Sequence, residues 1–197
     1  MKKAFLGGSV AALMTISSLA IAPAAHAQAE PTPGKVGATC SVEGQEGQSL
    51  EITGSKFEVE GTATVANYGS TDLPLTQTLK EGKTKEWNVG GSIDFDLLKL
   101  FHISFSSGYQ STQTWEVGQT LGPYPVKPGF TGVMEYGFLN QDFKGTHLRC
   151  QSGKWVDDGR PFWGTIPKER HIRVSMRHNE GDQSADAPKS EVADLAV

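Results

Sequence analysis

Apolar and polar residues alternate with a period of two along residues 87–97 and 103–117, and this pattern constrains the fold more than any other feature. In both runs the apolar residues hold odd positions and the even positions are polar or glycine, although Ser107, Ser111 and Gln113 also fall on the odd side of the second run and thin its apolar face. Successive side chains of a β-strand point to opposite faces, so the pattern predicts strands with one apolar and one polar face. The odd-numbered apolar set is Trp87, Val89, Ile93, Phe95, Leu97, Ile103, Phe105, Tyr109, Trp115 and Val117.

Shorter alternating runs occupy residues 50–53, 57–60, 130–138 and 171–177. The chain also has 23 glycines and many Thr and Ser residues, a composition typical of strands and turns. We therefore predict an all-β fold, built as a single elongated antiparallel sheet or sandwich. Residues 97–101 (Leu-Leu-Lys-Leu-Phe) are interpreted as a bend between the two longest runs.

The N-terminus has the three parts of a bacterial export signal. Lys2 and Lys3 form a positive region, an apolar stretch follows, and Ala25-His26-Ala27 is a small-x-small cleavage site. We expect residues 1–27 to be a signal peptide and the mature protein to be secreted into the extracellular space. No later run reaches the roughly 18 apolar residues of a membrane-spanning helix.

The rest of the chain divides by composition. Residues 28–39 are rich in Pro, Gly and Ala and are expected to form a flexible lead-in. Residues 40–177 carry the strand patterns and form one β-rich domain. Residues 178–197 are polar, and we expect them to be a disordered tail.

The chain has two cysteines, Cys40 and Cys150. In an oxidising compartment two cysteines of one domain are usually paired, so we expect a disulfide between them. Neither has a His or another Cys at the spacing of a metal site, and no metal site is expected.

Catalytic patterns are not found in the sequence. There is no HExxH, GxSxG, P-loop or GxGxxG motif, and the histidines after the signal peptide fall in different predicted strands and turns. Asp94 and Asp96 share a strand face, but a solvated outer face explains them more simply than acid–base or cation chemistry. A formal charge of −4 argues against generic nucleic-acid binding, which depends on Lys and Arg. We expect no enzyme activity, no catalytic residues and no cofactor.

Residues 87–149 resemble the central region of the aerolysin and epsilon-toxin/mosquitocidal-toxin families of β-pore-forming proteins. They also resemble small secreted actinomycete proteins built on the same plan. The resemblance rests on two Ser/Thr-rich alternating runs, the following Pro/Gly signature PYPVKPGFTG, and a further aromatic-rich strand. In the toxins an amphipathic hairpin of this region inserts into a membrane after oligomerisation. The resemblance implies a homo-oligomer that acts on a target membrane or cell envelope, with the odd-numbered apolar set as its membrane-insertion face.

Two alternatives remain open from the sequence. The same aromatic residues can form the core of a soluble sandwich, because alternating strands bury one face. The protein can also be an extracellular binding module for a cell-envelope or protein partner. In that case its contact residues would be the aromatic side chains Trp155, Phe162 and Trp163.

Overall fold

The computed structural model describes residues 30–105, 108–179 and 191–197. The signal peptide predicted over residues 1–27 lies outside these ranges. The elements are β1 (Glu46–Ala66), β2 (Leu73–Thr78), β3 (Lys83–Glu86), β4 (Asn88–Gly91), α1 (Leu97–Phe105), β5 (Thr112–Trp115), β6 (Thr120–Val126), β7 (Phe130–Gln151), β8 (Lys154–His178) and β9 (Glu191–Ala196). The predicted all-β antiparallel class is confirmed. In the part of the chain that is described, no helix has the length and apolar character needed to cross a membrane.

Three long strands carry the fold. β7 pairs with β1 on one side and with β8 on the other, and the sheet order is β1-β7-β8-β4 with β9 also on β8. The turn between β7 and β8 contains Ser152 and Gly153, both with positive φ, as tight hairpins that follow strand twist require. Register shifts near Ile52, Val59 and Leu139 mark bulges, which bend the strands and increase their twist.

The chain leaves this sheet between β1 and β7 and returns after one long excursion, residues 67–129. Within it β2 pairs with β6, and β3 pairs with β5, so the two pairs are nested like consecutive sections of one hairpin. The excursion covers one face of the sheet. The part of the excursion next to β1 and β7 in sequence packs on this face and completes a core cluster. The cluster consists of Leu75, Leu79, Trp115, Leu121, Val126, Met134, Tyr136, Phe138, Ile172 and Val174.

The far end of the excursion differs from the sequence prediction. Residues 87–97 and 103–117 are not two long strands, and the expected bend at residues 97–101 is the start of α1. The Asp96 carboxylate accepts a hydrogen bond from the backbone N–H of Lys99, at 2.9 Å, as an N-cap residue does. Leu97, Leu100 and Phe101 then share the buried face at helical spacing.

Some residues at both ends of the domain pair with the sheet. In the lead-in, Gly34 N–H donates to the carbonyl of Gln48 at 2.8 Å, and Cys40 N–H donates to Gly153 at 3.0 Å. These residues of the lead-in therefore have backbone hydrogen bonds to β1 and to the β7–β8 turn, and the flexibility of the lead-in stays a prediction. In the tail, Glu191–Ala196 form β9 on the exposed edge of β8, where unpaired backbone groups accept another strand.

The predicted disulfide is confirmed. Cys40 and Cys150 are bonded, with 5.9 Å between their Cα atoms and a sequence separation of 110. The bond packs with Leu148 and Trp155 in a small cluster, so it fastens the lead-in to the end of the sheet.

Replacing both cysteines, Cys40→Ala with Cys150→Ala, is expected to lower the free energy of unfolding by roughly 4–5 kcal/mol, because the bridge closes a long loop in the unfolded chain. Urea unfolding followed by fluorescence measures the loss. Wild-type protein treated with a reductant is the control and should match the double variant. An unchanged midpoint in the double variant would contradict this account.

Candidate functional site

The far end of the excursion, residues 87–111, is called the tip segment here. β3 and β5 lead into it, with Lys83 opposite Trp115 and Glu86 opposite Thr112. The pairing extends by one step beyond these strands, because Trp87 N–H donates to the carbonyl of Ser111 at 2.9 Å. The tip segment is therefore attached to a two-stranded stem whose register is already set.

Backbone pairing holds the first part of the tip segment on the sheet. β4 pairs with β8 from Asn88 opposite Thr165 to Gly91 opposite Phe162. The approach is close, since a Cβ at Gly164 would collide with the carbonyl oxygen of Asn88. This ladder has 4 residues, and the hydrogen bond from Ser92 N–H to the carbonyl of Pro161, at 3.1 Å, continues it by one step.

Aromatic packing holds the second part. Phe95 and Phe101 are buried and form edge-to-face pairs with the sheet, Phe95 with Phe162 at 5.2 Å and Phe101 with Phe143 at 4.9 Å between ring centroids. The cluster consists of Phe95, Leu97, Leu100, Phe101, Phe143, Phe162 and Ile166. These contacts bury apolar area on both the tip and the sheet, and they are the main attachment of α1.

A polar contact crosses the same boundary. The His147 ring on β7 is buried, and its Nε2 lies 2.9 Å from the carbonyl oxygen of Ser92 and 3.5 Å from Asp94 Oδ1. On β8, Arg160 Nη1 donates to Asp94 Oδ2 at 2.9 Å. The hydrogen bond from Arg160 to Asp158 raises the pKa of the guanidinium, so Asp94 faces a permanent positive charge.

The stem is anchored separately. Lys85 Nζ donates to Glu58 Oε2 at 2.6 Å, and Asn140 Nδ2 donates to the same oxygen at 2.8 Å. The indole N–H of buried Trp115 donates to the carbonyl of Gly137 at 2.9 Å. The stem and the tip segment therefore have different sets of contacts with the sheet.

The predicted insertion residues lie in three environments. Phe95, Leu97 and Trp115 are buried, and Ile103 and Val117 are exposed. The remaining five are partly buried, namely Trp87, Val89, Ile93, Phe105 and Tyr109. Most of the set is packed as core in this structure, and its role as an insertion face stays a prediction.

The predicted partner-binding aromatics do not form one surface. Phe162 is fully buried and Trp155 is 7% exposed, whereas Trp163 is 54% exposed. The reason is strand alternation, which turns Phe162 to the core and Trp163 outward. Trp155 is buried because Gly47 and Gly34 leave room for its ring under the lead-in.

Sequence reasoning missed the contacts of His147 and Arg160 with the tip segment, and no local pattern in the sequence signals them. It also paired Asp94 with Asp96 on one face. The structure separates their roles, because Asp94 binds Arg160 while Asp96 caps α1. Among the described residues no group of acidic, His or Cys side chains could hold a metal ion.

No protein-family model matches the chain, and no curated protein matches its sequence. Solved structures of similar fold include the Cry23Aa1 and Cry37Aa1 binary protein complex, with a TM-score of 0.38 and 10% identity over 76% of this chain and 83% of that one. A proposed pore-forming toxin from Bacteroides vulgatus has a TM-score of 0.38 and 13% identity over 73% of this chain and 67% of that one. At these values neither similarity carries an argument about what this chain does.

Replacing Phe95 by Ala is expected to loosen the tip segment selectively, because it removes the ring that packs on Phe162 and leaves a cavity. Hydrogen exchange should speed up in residues 92–105 and stay slow in β1 and β7. Ile103→Ala, at a half-exposed position of α1, is the matched control and should change little. Faster exchange spread evenly over the sheet would contradict a separately held tip.

Proposed function

We propose that this protein is a secreted pore-forming protein whose tip segment refolds into a membrane-inserting hairpin. The observation that carries the proposal is the register of the stem. β3 and β5 are already paired, and the hydrogen bond from Trp87 to Ser111 extends that pairing into the tip segment. A hairpin that continued this register would need no slip of the strands below it.

Continuing the register sorts the tip residues by face. Residues directly opposite in an antiparallel pair point to the same side of the sheet. On one face the pairs would be Val89 with Tyr109, Ile93 with Phe105, Phe95 with Ile103 and Leu97 with Phe101. On the other face they would be Asn88 with Gln110, Asp94 with Ser104 and Asp96 with His102. The hairpin would thus have one apolar and one polar face, with its turn at residues 98–100.

The dimensions suit a bilayer. A transmembrane β-strand takes about 9–11 residues, with alternate side chains facing lipid and a water-filled interior. The arms 87–97 and 101–111 have this length. Trp87 and Tyr109 fall near the base of the hairpin, the depth at which aromatic residues favour the membrane interface.

The folded form of the tip segment is suited to release from the sheet. α1 has 9 residues, too few for a helix that is stable without its packing, and β4 adds only a short ladder. Burial of the odd-numbered face in lipid would offset the lost packing on Phe143 and Phe162. A single hairpin leaves unpaired backbone edges in the hydrocarbon, so several copies must join their hairpins into a closed ring. The proposal therefore includes homo-oligomerisation on the target membrane.

The polar face also predicts which ions would pass. Asp94 and Asp96 would line the interior near the turn, accompanied by His102 and only one lysine, Lys99, at the turn itself. A ring of acidic side chains attracts cations and repels anions.

The proposal also includes secretion. It is supported by the export-signal pattern and by a disulfide of the kind that persists in oxidising compartments.

A disulfide that locks β4 to β8 should abolish membrane permeabilisation. Asn88 and Thr165 lie directly opposite, and such antiparallel partners have Cα atoms about 4.5–5.5 Å apart, within the range of a disulfide. Asn88→Cys with Thr165→Cys, oxidised, should release no carboxyfluorescein from phosphatidylcholine/phosphatidylglycerol vesicles under conditions where the wild type does. Mild reduction should restore release.

The matched control lock is Thr84→Cys with Thr114→Cys in the stem, where the two hydroxyl oxygens are 3.3 Å apart. The proposal keeps this pair intact in both forms, so its oxidation should leave dye release unchanged. Wild-type protein with the same reductant controls for Cys40–Cys150. Release that persists with β4 locked, or a wild type that stays monomeric and leaves all vesicles intact, would contradict the proposal.

A further inference from the structure

A groove of about 760 Å³ lies on the opposite side of the sheet from α1. Its walls are the lead-in and the outward faces of β1, β7 and β8, and its lining includes Lys35, Val36, Ser49, Lys144, Thr146 and Trp163. The lead-in wall is fixed, because Gly34 N–H donates to Gln48 and Gly37 N–H donates to Trp155, both at 2.8 Å. The groove is thus a fixed feature of the folded domain.

Trp163 presents a flat aromatic surface in this groove. A Cβ added to Gly90 would lie 3.0–3.3 Å from three atoms of the indole ring, so the ring packs directly against the glycine of β4. Trp163 is 54% exposed and lines the groove, so a large part of its ring is accessible there. Any larger residue at position 90 would tilt the ring.

Charged groups surround the indole at fixed positions. Glu51, Lys144 and Trp163 lie directly opposite one another across β1, β7 and β8, so their side chains project from the same face. Lys144 Nζ is 3.5 Å from Glu51, and both side chains are mostly exposed. Lys35 on the facing wall makes no ion pair with any described residue. The groove therefore carries an excess of positive charge beside its aromatic surface.

We propose that this groove binds an acidic glycan. The C–H face of a pyranose ring would stack on the exposed indole of Trp163, whose π-electrons attract the polarised hydrogens of the sugar. Glu51 and Lys144 would bond sugar hydroxyls at the edge of the indole, and Lys35 would pair with the carboxylate of the glycan. A lone exposed indole among charged groups suits a sugar better than a bilayer surface, which requires a wider apolar area.

The site is complete only while β4 pairs with β8, because the indole rests on Gly90. Glycan binding does not require membrane insertion, so the protein locked by Asn88→Cys with Thr165→Cys should still bind glycan. That variant separates the two proposals: loss of dye release with glycan binding retained supports both, and the failure of one leaves the other testable.

The experiment measures binding of the full protein to immobilised sialyllactose and oligogalacturonate, with lactose as the neutral counterpart. We expect the acidic probes to bind, and Trp163→Ala to weaken binding by about tenfold or more while Trp163→Phe largely keeps it. Lys35→Ala with Lys144→Ala should abolish the preference for the acidic probes. Tyr68→Ala, at another exposed aromatic, is the control and should bind as the wild type does.

All these side chains are exposed, so the variants should keep the wild-type melting temperature, which is checked by circular dichroism. Binding of neither acidic probe, or Trp163→Ala binding as well as the wild type, would overturn the inference. So would binding to glycan-free vesicles that depends on Trp163 in the absence of glycan binding, because the groove would then recognise lipid.

Discussion

The sheet of β1, β7 and β8 has one apolar face, and that face must be covered; the rest of the structure follows from this constraint. The cover comes from residues 67–129, which leave the sheet and fold back on it. At the far end the cover is the contact of Phe95 and Phe101 with Phe162 and Phe143. The chain therefore places a segment with membrane-strand periodicity where it serves as the domain's own core.

The sequence predicts the strands and the disulfide of this fold but misses the helix α1. Alternation predicted the antiparallel strands, and the two cysteines predicted the bridge. The helix α1 was missed because residues 97–105 satisfy two periods at once: odd positions suit a strand, while Leu97, Leu100 and Phe101 suit a helix face. Local pattern cannot choose between them, since the choice depends on packing against Phe143, far away in sequence.

The candidate sites, too, could be predicted only in part from the sequence. The composition of the tip segment could be read directly, but not its contacts, because His147 and Arg160 reach Ser92 and Asp94 only through the sheet register. Trp155 was wrongly expected at the surface, since nothing near it in sequence reveals that Gly34 and the lead-in cover it. Long-range register decides both cases.

β4 links the two proposals. Its backbone pairs with β8 and its Gly90 supports Trp163, so the strand that must leave the sheet for insertion also completes the groove. If both proposals hold, the folded form with β4 on the sheet is the one that would recognise a glycan, and release of β4 would dismantle the recognition surface. One short strand can in this way connect surface recognition with the state of the tip segment.

The central claim is that the tip segment changes from β4 and α1 to a hairpin in the register of the stem. Single cysteines at positions 101–105, each labelled with an environment-sensitive fluorophore, test it on vesicle-bound protein in the Cys40→Ala, Cys150→Ala background. The account predicts a period of two, with labels at 101, 103 and 105 quenched by lipid-borne quenchers and those at 102 and 104 by aqueous iodide. A helical period, or labels that never contact lipid, would contradict it.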